Sequence, residues 1–359
     1  MGAASRLAVV LGAPIVLAMG ASRALPSGRI ARLGASPYLS TGPLSPMTRK
    51  RTVAFSPRAV NLFFHILTRC NLKCRHCYIN PDQHGTETLP LSTIENWLKV
   101  FADLGKPANL ILLGGEPTLH PDLAAVVHTA RRLRFASVTI DTNGYLFHDI
   151  LDRLTPADLD YFSFSLDGAT AKTNDALRGR GSYDACLAGI RRAVAKGFST
   201  SLIYTVSTAN IDELPQMEPL LEDLGIDRFF IQVLGIRGNP ARQAGSMAAD
   251  RPLQVDRDRW LAVVPAAAEK IADRGLTVTY PKVFLSPQED FACAGRVADN
   301  FFVFPNGRVY RCPLCEDFSL HSLSLEKGRL DPMPPINEND LFALDIPEGC
   351  VMNRLIQPG

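Results

Sequence analysis

The sequence lacks a marked excess of either charge. Its 38 lysine and arginine residues nearly balance 36 aspartate and glutamate residues, so the formal net charge of the 359-residue chain is only +2. It also lacks long runs of one charge and internal repeats. A nearly neutral chain has little electrostatic attraction for nucleic acid or for an acidic membrane surface. We therefore expect neither as a partner.

Cysteine is also scarce, with eight residues in the chain. That number is too low for a disulfide-held scaffold of this length. Seven of the eight fall into two groups, Cys70–Cys77 and Cys293–Cys350, and the eighth is Cys186. Such clustering predicts metal binding rather than disulfides. Cys186 lies in an apolar segment with helical spacing, which is typical of a core cysteine.

The sequence has no apolar run long enough for a confident membrane span. The longest candidate, Leu7–Gly20, follows Arg6 and resembles a secretory signal peptide, but it is shorter than the ~20 residues of a spanning helix. Two interpretations of the leader, residues 1–50, remain open: a targeting or anchoring segment, or an overextended start with translation beginning at Met47. We expect a cytoplasmic protein without a membrane span.

Between residues 51 and 285, apolar runs alternate with segments of helical spacing. The predicted strands are Val60–Leu67, Asn109–Leu113, Ala136–Asp141, Asp160–Leu166, Thr200–Val206 and Arg228–Leu234. The predicted helices are Leu91–Leu104, Pro121–Leu133, Leu146–Leu154, Tyr183–Lys196, Glu213–Leu224 and Arg257–Arg274. Six strands alternating with helices imply βαβ units and a parallel sheet, which right-handed crossovers would curve into a full or partial barrel.

The alternation ends after Cys293. Phe301–Tyr310 contains Pro-Asn-Gly between two apolar runs, which predicts a β-hairpin. Residues 286–359 are therefore predicted to form a smaller second domain.

The first predicted strand leads directly into Cys70, Cys74 and Cys77, a Cys-x3-Cys-x2-Cys array. In α/β folds the chemistry lies at the carboxyl ends of the strands, where this loop is expected. A cubane iron–sulfur cluster is usually held by four cysteines, so three local thiolates would leave one iron open to another ligand. Zinc or a redox dithiol is the alternative, although zinc prefers four tetrahedral ligands and His76 is poorly placed as the fourth.

This array resembles the signature of the radical S-adenosylmethionine (SAM) superfamily, in which a ring or aliphatic residue, here His76, precedes the last cysteine. The resemblance implies an incomplete (β/α)6 barrel and a [4Fe-4S] cluster whose open iron chelates the methionine part of SAM. One-electron reduction would cleave SAM to a 5′-deoxyadenosyl radical that abstracts hydrogen from a substrate. The three cysteines would hold the cluster, with His76 and Tyr78 beside them in the cofactor site.

Motifs at the next strand ends resemble the same family. Gly114-Gly115-Glu116-Pro117 resembles the motif that meets the SAM amine, since glycine allows close backbone approach and a carboxylate accepts from an ammonium. Ser163–Gly168 resembles the Ser-Leu-Asp-Gly motif of the peptide-modifying branch. For each motif an ordinary turn, cap or solvated side chain is the alternative. The other cofactor-site residues that the resemblance implies are Thr142, Asn143, Ser165, Asp167 and Arg178, with Ser165 and Arg178 on the SAM carboxylate.

The tail resembles an auxiliary-cluster domain, called SPASM or, in its shortened form, twitch. The resemblance rests on the spacing of Cys293, Gly307 and Cys312. A full SPASM domain has seven cysteines, and this tail has four, enough for one second [4Fe-4S] cluster. The implied ligands are Cys293, Cys312, Cys315 and Cys350. Cys315 departs from the family spacing, so Glu316 or a substrate atom could replace one ligand, and a zinc ribbon is the alternative.

We predict from these observations a radical SAM enzyme that modifies a peptide or protein side chain. An enzyme of small-molecule or tetrapyrrole cofactor biosynthesis is the alternative. Outside enzymes, the alternatives are an iron–sulfur electron carrier and a zinc-binding protein. A reductase such as flavodoxin or ferredoxin is expected as a partner. The sequence identifies no catalytic acid or base. The residues just before the tail that are weighed for that role are Tyr280, Lys282, Glu289 and Asp290. Gln232 and Leu234 are weighed for the adenosyl pocket.

Overall fold

The computed structural model describes residues 59–235, 237–240, 253–281, 283, 299–312, 316 and 321–333. Within these ranges eleven strands form one sheet. In chain order they are β1 (Val60–His65), β2 (Ala108–Leu113), β3 (Ser137–Thr142), β4 (Tyr161–Ser165), β5 (Thr200–Val206), β6 (Arg228–Val233), β7 (Thr277–Thr279), β8 (Asp299–Val303), β9 (Arg308–Tyr310), β10 (Leu323–Glu326) and β11 (Arg329–Pro332). The predicted leader, residues 1–50, lies outside the described residues.

The sheet order is β11-β10-β9-β8-β1-β2-β3-β4-β5-β6-β7. Strands β1 to β6 pair with one another in chain order and in parallel, which confirms the six predicted βα units. Strand β7 extends the parallel sheet beyond β6, and β8 extends it beyond β1. The strand order is linear, so over the described ranges the sheet does not close on itself. The predicted incomplete (β/α)6 barrel is therefore confirmed as the core of the fold.

Eight α-helices are described, and the longer ones cover the outer face of this sheet. They are α1 (Pro81–His84), α2 (Leu91–Ala102), α3 (Leu123–Arg132), α4 (Ile150–Arg153), α5 (Ala171–Arg178), α6 (Ser182–Ala195), α7 (Met217–Asp223) and α8 (Arg257–Asp273). Side chains alternate along each strand, so Leu62 and Phe64 of β1 join the apolar core, where Phe64 stacks on Trp97 of α2. Phe63 and His65 face the inner side. None of the described helices is long and apolar enough to cross a membrane.

The helix predicted over Leu146–Leu154 is shorter than expected. Leu146, His148 and Asp149 have φ values of 54°, 56° and 49°. These are left-handed conformations that a right-handed helix cannot contain. Only α4 remains helical, and the segment after β3 is an irregular loop instead.

Helix α5 was not predicted from the apolar pattern, because most of its residues are polar. It is capped by Thr170, whose hydroxyl accepts from the Thr173 amide. The helix ends at Arg178, with Gly179 after it at φ 119°. This helix matters because it delivers Arg178 to the loop that carries the three cysteines.

The hairpin predicted over Phe301–Tyr310 is confirmed. Strands β8 and β9 pair antiparallel, and Gly307 in their turn has φ 84°, a conformation that favours glycine. Strands β10 and β11 continue the antiparallel order, while β8 pairs in parallel with β1. The described part of the tail thus extends the barrel sheet. The division of the chain at residues 285 and 286 stays a prediction.

A buried ladder of amide side chains joins the tail to the barrel. The Asn61 Nδ2 group donates to Asn300 Oδ1 at 2.9 Å, and Asn109 Nδ2 donates to Asn61 Oδ1 at 3.1 Å. The Ser137 hydroxyl donates to Asn109 Oδ1 at 2.8 Å. The ladder therefore crosses β8, β1, β2 and β3 near their amino ends, and its three asparagines are buried.

We predict that Asn61→Ala lowers the free energy of unfolding by about 2–3 kcal/mol, because it leaves polar groups of Asn300 and Asn109 buried without partners. Urea unfolding followed by circular dichroism measures the change. The matched control is Asn306→Ala in the exposed hairpin turn, for which we expect a change below about 1 kcal/mol. Equal losses in the two variants would contradict the ladder's role.

Candidate functional site

A cavity of about 180 Å³ opens at the carboxyl ends of the parallel strands. The predicted site residues that line it are Cys70, Cys74, His76, Cys77, Tyr78, Gly114, Gly115, Glu116, Thr142, Asn143, Ser165 and Arg178. Gln232 and Leu234 line it as well, whereas Pro117 and Asp167 are buried outside the lining. The fold therefore brings the strand-end motifs together around one space. Their individual roles toward SAM stay predictions.

The three cysteines lie half-buried on the loop after β1. Two contacts hold this loop in place: the Arg75 amide donates to the Leu177 carbonyl at 2.8 Å, and the Asn239 side-chain amide donates to the Cys74 carbonyl at 2.7 Å. Burial raises the pKa of Cys70 to about 11 and that of Cys74 to about 12. Both are therefore neutral thiols at pH 7, and metal binding would release their protons. Over the described ranges, no three His, Cys, Asp or Glu residues surround a single metal-ion position.

Gly114 and Gly115 pack against the backbone that leads to the first cysteine. The Gly115 amide donates to the Leu67 carbonyl at 3.1 Å, and the Glu116 amide donates to the Arg69 carbonyl at 3.0 Å. A Cβ atom on Gly114 would lie 2.7 Å from the Leu67 oxygen, and one on Gly115 would lie 2.4 Å from the Arg69 oxygen. From the sequence alone, these glycines are explained by the close approach of the backbone to a ligand. The structure adds a second requirement, the close contact of two strand-end loops.

The Glu116 carboxylate links the loops after β2 and β3. Its Oε1 atom accepts from the hydroxyls of Thr118 at 2.6 Å and Thr142 at 2.8 Å, and its Oε2 atom accepts from the Asn143 amide at 2.7 Å. Burial raises the pKa of Glu116, and these hydrogen bonds act in the opposite direction. Glu116 thus borders the cavity as a buried carboxylate in a fixed orientation.

Asp167 lies behind the cavity wall and orients two residues that form it. Its Oδ2 atom is 3.0 Å from His76 Nε2 and 2.5 Å from Arg178 Nε. Its Oδ1 atom accepts from the Thr205 amide at 2.7 Å. Burial alone would raise the pKa of Asp167, but Arg178 and His76 outweigh it, and the pKa falls to about 2. Asp167 is therefore an anion at all ordinary pH values, and it acts through its two partners.

The remaining predicted residues do not line the cavity or lie outside the described ranges. Cys186 is a core residue as predicted, with its thiol directed at the Ser165 carbonyl at 3.6 Å. Cys312 follows β9 and does not line the cavity, nor does Tyr280. The residues outside the described ranges are Lys282, Glu289, Asp290, Cys293, Cys315 and Cys350.

Tyr78, directly after the last cysteine, is tied to β1 and the tail through His65. Its ring hydroxyl lies 2.6 Å from His65 Nε2, and His65 Nδ1 lies 2.9 Å from the Val303 carbonyl. Because a carbonyl only accepts, Nδ1 carries the proton, and Nε2 accepts from the tyrosine. Burial lowers the pKa of His65 to about 3, so the ring stays neutral. The sequence analysis missed His65, although it holds the last inward position of β1.

An aromatic stack extends this connection to the tail. The Phe304 ring lies between those of His65 and His84, with centroid distances of 4.0 Å and 3.8 Å. His84 Nε2 donates to the Glu316 carbonyl at 2.6 Å. The Glu316 carboxylate in turn pairs with Arg237 at 3.1 Å, and both side chains line the cavity. The tail therefore contributes directly to the cavity wall.

Asp141 is a second residue that the sequence analysis missed. It is the next-to-last residue of β3, faces the cavity and is only 8% exposed. Burial raises its pKa to about 7, although a hydrogen bond with Ser163 acts against this rise. Its Oδ1 atom is buried without a hydrogen-bond partner. The alternation of side chains along β3 is the sequence signal that places Asp141 on the inner face.

The radical SAM superfamily model matches residues 64–221, from the end of β1 to α7. The chain is 34% identical over 204 residues to pre-heme d1 synthase of Dinoroseobacter shibae, a match that covers 56% of this chain and 50% of that protein. It is 32% identical over 200 residues to Fe-coproporphyrin III synthase of Methanosarcina barkeri, with 55% and 48% covered. The chain thus spans about half the length of the relatives it matches.

Among solved structures, the fold is similar to that of SuiB from Streptococcus suis. SuiB bound to its precursor peptide SuiA superimposes with a TM-score of 0.59 at 15% sequence identity, covering 78% of this chain and 64% of that one. SuiB bound to S-adenosylmethionine gives a TM-score of 0.54 at 16% identity, with 72% and 61% covered. At these identities the likeness establishes the fold alone.

We predict that Asp141→Asn stabilises the protein most at pH 8 and by only about 1.5 kcal/mol at pH 5. The pKa of Asp141 is about 7 in the folded chain and about 3.9 when unfolded. Between these two pKa values the folded chain keeps the proton that the unfolded chain has lost, so the free energy of unfolding of the wild type falls as pH rises. The gain should reach up to roughly 4 kcal/mol. Urea unfolding at both pH values measures it. The control is Asp152→Asn, because a hydrogen bond from Lys196 lowers the pKa of Asp152 and removing that carboxylate should give no gain at high pH.

We also predict that Gly115→Ala destabilises the protein strongly, by several kcal/mol, and disrupts the cysteine loop. The added methyl group would overlap the Arg69 carbonyl, which is backbone and cannot rotate away. The comparison is Gly105→Ala, whose Cβ meets nothing within 4 Å and which incurs only the strain of φ 71°, about 1 kcal/mol. Thermal unfolding of both variants tests this, and similar melting temperatures would show that the close contact is unimportant.

Proposed function

We propose that this chain, whose residues 64–221 match the radical SAM superfamily model, is an enzyme that cleaves SAM reductively to modify a peptide or protein side chain. The observation that carries this proposal is the single cavity lined by three cysteine thiols and by the motifs of the neighbouring strand ends. No one of these motifs is specific by itself. Their convergence on one space supports a shared ligand.

In this proposal Cys70, Cys74 and Cys77 hold a [4Fe-4S] cluster. The donor set fits, because three thiols line one cavity and no disulfide joins them. When bound, the cluster supplies the electron that cleaves SAM. The chain's own part is to keep the loop in position through the Arg75 and Asn239 contacts and to limit the access of water, since the thiols of Cys70 and Cys74 are half-buried.

The proposed SAM site occupies the cavity next to the cysteine loop. Glu116 presents a buried carboxylate in a fixed orientation, suited to the ammonium of SAM. Arg178, held by Asp167, presents its guanidinium for the SAM carboxylate together with Ser165. Thr142 and Asn143 complete this side of the cavity. Strand ends position Glu116, Thr142, Asn143 and Ser165, and α5 positions Arg178.

We further propose that Cys293, Cys312, Cys315 and Cys350 hold a second cluster in a SPASM- or twitch-type domain. Cys312 comes two residues after β9, and the strand before it in the hairpin is paired with β1, so this part of the tail is anchored beside the barrel. The Glu316 carboxylate is paired with Arg237, which favours the cysteines over Glu316 as ligands.

The substrate class is proposed from two sources. The Ser163–Gly168 motif resembles the peptide-modifying branch, and SuiB, which shares the fold, was solved with a precursor peptide. A tetrapyrrole is the second candidate, because the two relatives described above are named as synthases of pre-heme d1 and Fe-coproporphyrin III. A flavodoxin or ferredoxin would supply electrons, in the cytoplasm.

The test is anaerobic reconstitution of the full chain with iron and sulfide. We expect about eight irons per chain and formation of 5′-deoxyadenosine from SAM with dithionite. Cys70→Ala/Cys74→Ala/Cys77→Ala should retain about half the iron and form no 5′-deoxyadenosine. Cys186→Ala, which removes a cysteine outside both sets, is the control and should retain all the iron.

Three results would contradict the proposal or part of it. A colourless, zinc-loaded protein would exclude the enzyme. Iron without SAM cleavage would favour an electron carrier. Full iron content in the triple variant would refute the division of ligands. A precursor peptide encoded beside the gene and coproporphyrin can then be compared as substrates by mass spectrometry.

A further inference from the structure

Both arginines that line the cavity are paired with a carboxylate, but not every carboxylate that lines it is paired with a basic side chain of the described residues. Two are basic, Arg178 and Arg237, and each already contacts a carboxylate: Asp167 for the first and Glu316 for the second. Asp141 lines the same cavity. Among the described residues no basic side chain forms an ion pair with Asp141.

Asp141 is the least satisfied of the cavity carboxylates. Glu116 accepts hydrogen bonds on both of its oxygens, and Glu316 has its arginine. Asp141 has Ser163 as its hydrogen-bonding neighbour, while its Oδ1 atom is buried without a partner. A buried carboxylate in this state either takes up a proton or requires a cation. An acceptor that faces a cavity can obtain that cation from a ligand.

We propose that Asp141 is a substrate-binding residue that receives a positively charged nitrogen of the substrate, an ammonium or a guanidinium. The inference rests on the proposed function, and it narrows the proposed peptide substrate to one that presents a basic side chain. A substrate rich in carboxylates, such as a tetrapyrrole with propionate groups, would instead meet like charge at this position.

The surroundings of Asp141 suit the stem of such a side chain. Phe63 and Phe302, stacked at 4.4 Å, form part of the same cavity wall, as do Leu113 and Ile203. An aliphatic chain with a charged end can lie along apolar surface while its end pairs with a carboxylate. The wall thus offers contact for methylene groups, and Asp141 offers contact for the charge.

SAM itself is the competing source of positive charge, because it carries an ammonium and a sulfonium. The motif resemblance assigns the SAM ammonium to Glu116, in the loop after the neighbouring strand β2. The proposal therefore requires that Asp141 contribute to binding of an added cation while SAM is present, and that SAM affinity be independent of Asp141.

The experiment uses the reconstituted, SAM-bound full chain and n-butylammonium as the probe, with n-butanol as the uncharged analogue. Saturation-transfer NMR and calorimetry measure binding. We expect the wild type to bind n-butylammonium at least about tenfold more tightly than n-butanol, and Asp141→Asn to abolish this preference. Asp152→Asn, which removes an exposed carboxylate far from the lining, should preserve it.

SAM affinity and 5′-deoxyadenosine formation are measured on the same samples. Unchanged SAM affinity in Asp141→Asn, together with loss of the charge preference, supports the proposal. A tenfold loss of SAM affinity would assign Asp141 to the SAM site and overturn it. Equal binding of the two probes by the wild type would also overturn it, and this result requires no variant to fold. Failure of the wild type to bind or cleave SAM would instead refute the proposed function.

Discussion

The contact between the loop after β1 and the loop after β2 is the constraint on which the rest of the site depends. Backbone hydrogen bonds join Leu67 and Arg69 to Gly115 and Glu116. The two loops can approach this closely because Gly114 and Gly115 have no side chains. Because the cysteines follow Arg69 directly, the same contact positions them. It also brings the Glu116 carboxylate to the loop after β3, where Asn143 and Thr142 donate to it.

Asp167 performs the corresponding task on the opposite side. It joins the end of β4 to β5 through the Thr205 amide, and it holds His76 of the cysteine loop and Arg178 of α5. A buried anion is stable only with such partners. The ion pair with Arg178 holds the short, mostly polar helix α5 against the barrel. The contact with His76 holds the cysteine loop on the side opposite to its contact with Gly115 and Glu116.

The tail is part of the same construction. Strand β8 lies against β1, the asparagine ladder crosses their junction, and Tyr78, His65 and the Val303 carbonyl form a continuous hydrogen-bonded chain. Arg237 and Glu316 complete the cavity wall. A cavity built by both parts suits an enzyme in which the barrel positions SAM and the tail helps to enclose the substrate, with Asp141 on the inner face of β3 as the proposed contact for its charge.

The sequence by itself determined the six parallel strands and the motifs at their ends, because apolar runs and cysteine spacing are local signals. It also determined the hairpin of the tail, through Pro-Asn-Gly. Side-chain alternation along β3 indicates the inward orientation of Asp141, but only the tertiary structure decided that Asp167, past the end of β4, stands behind the cavity wall with His76 and Arg178 as partners. The tertiary structure also decided the contacts of His65 with the Val303 carbonyl and of Arg237 with Glu316, because these partners lie far apart along the chain. Helix α5 was missed because an ion pair with Asp167, rather than an apolar stripe, holds its last residue in place.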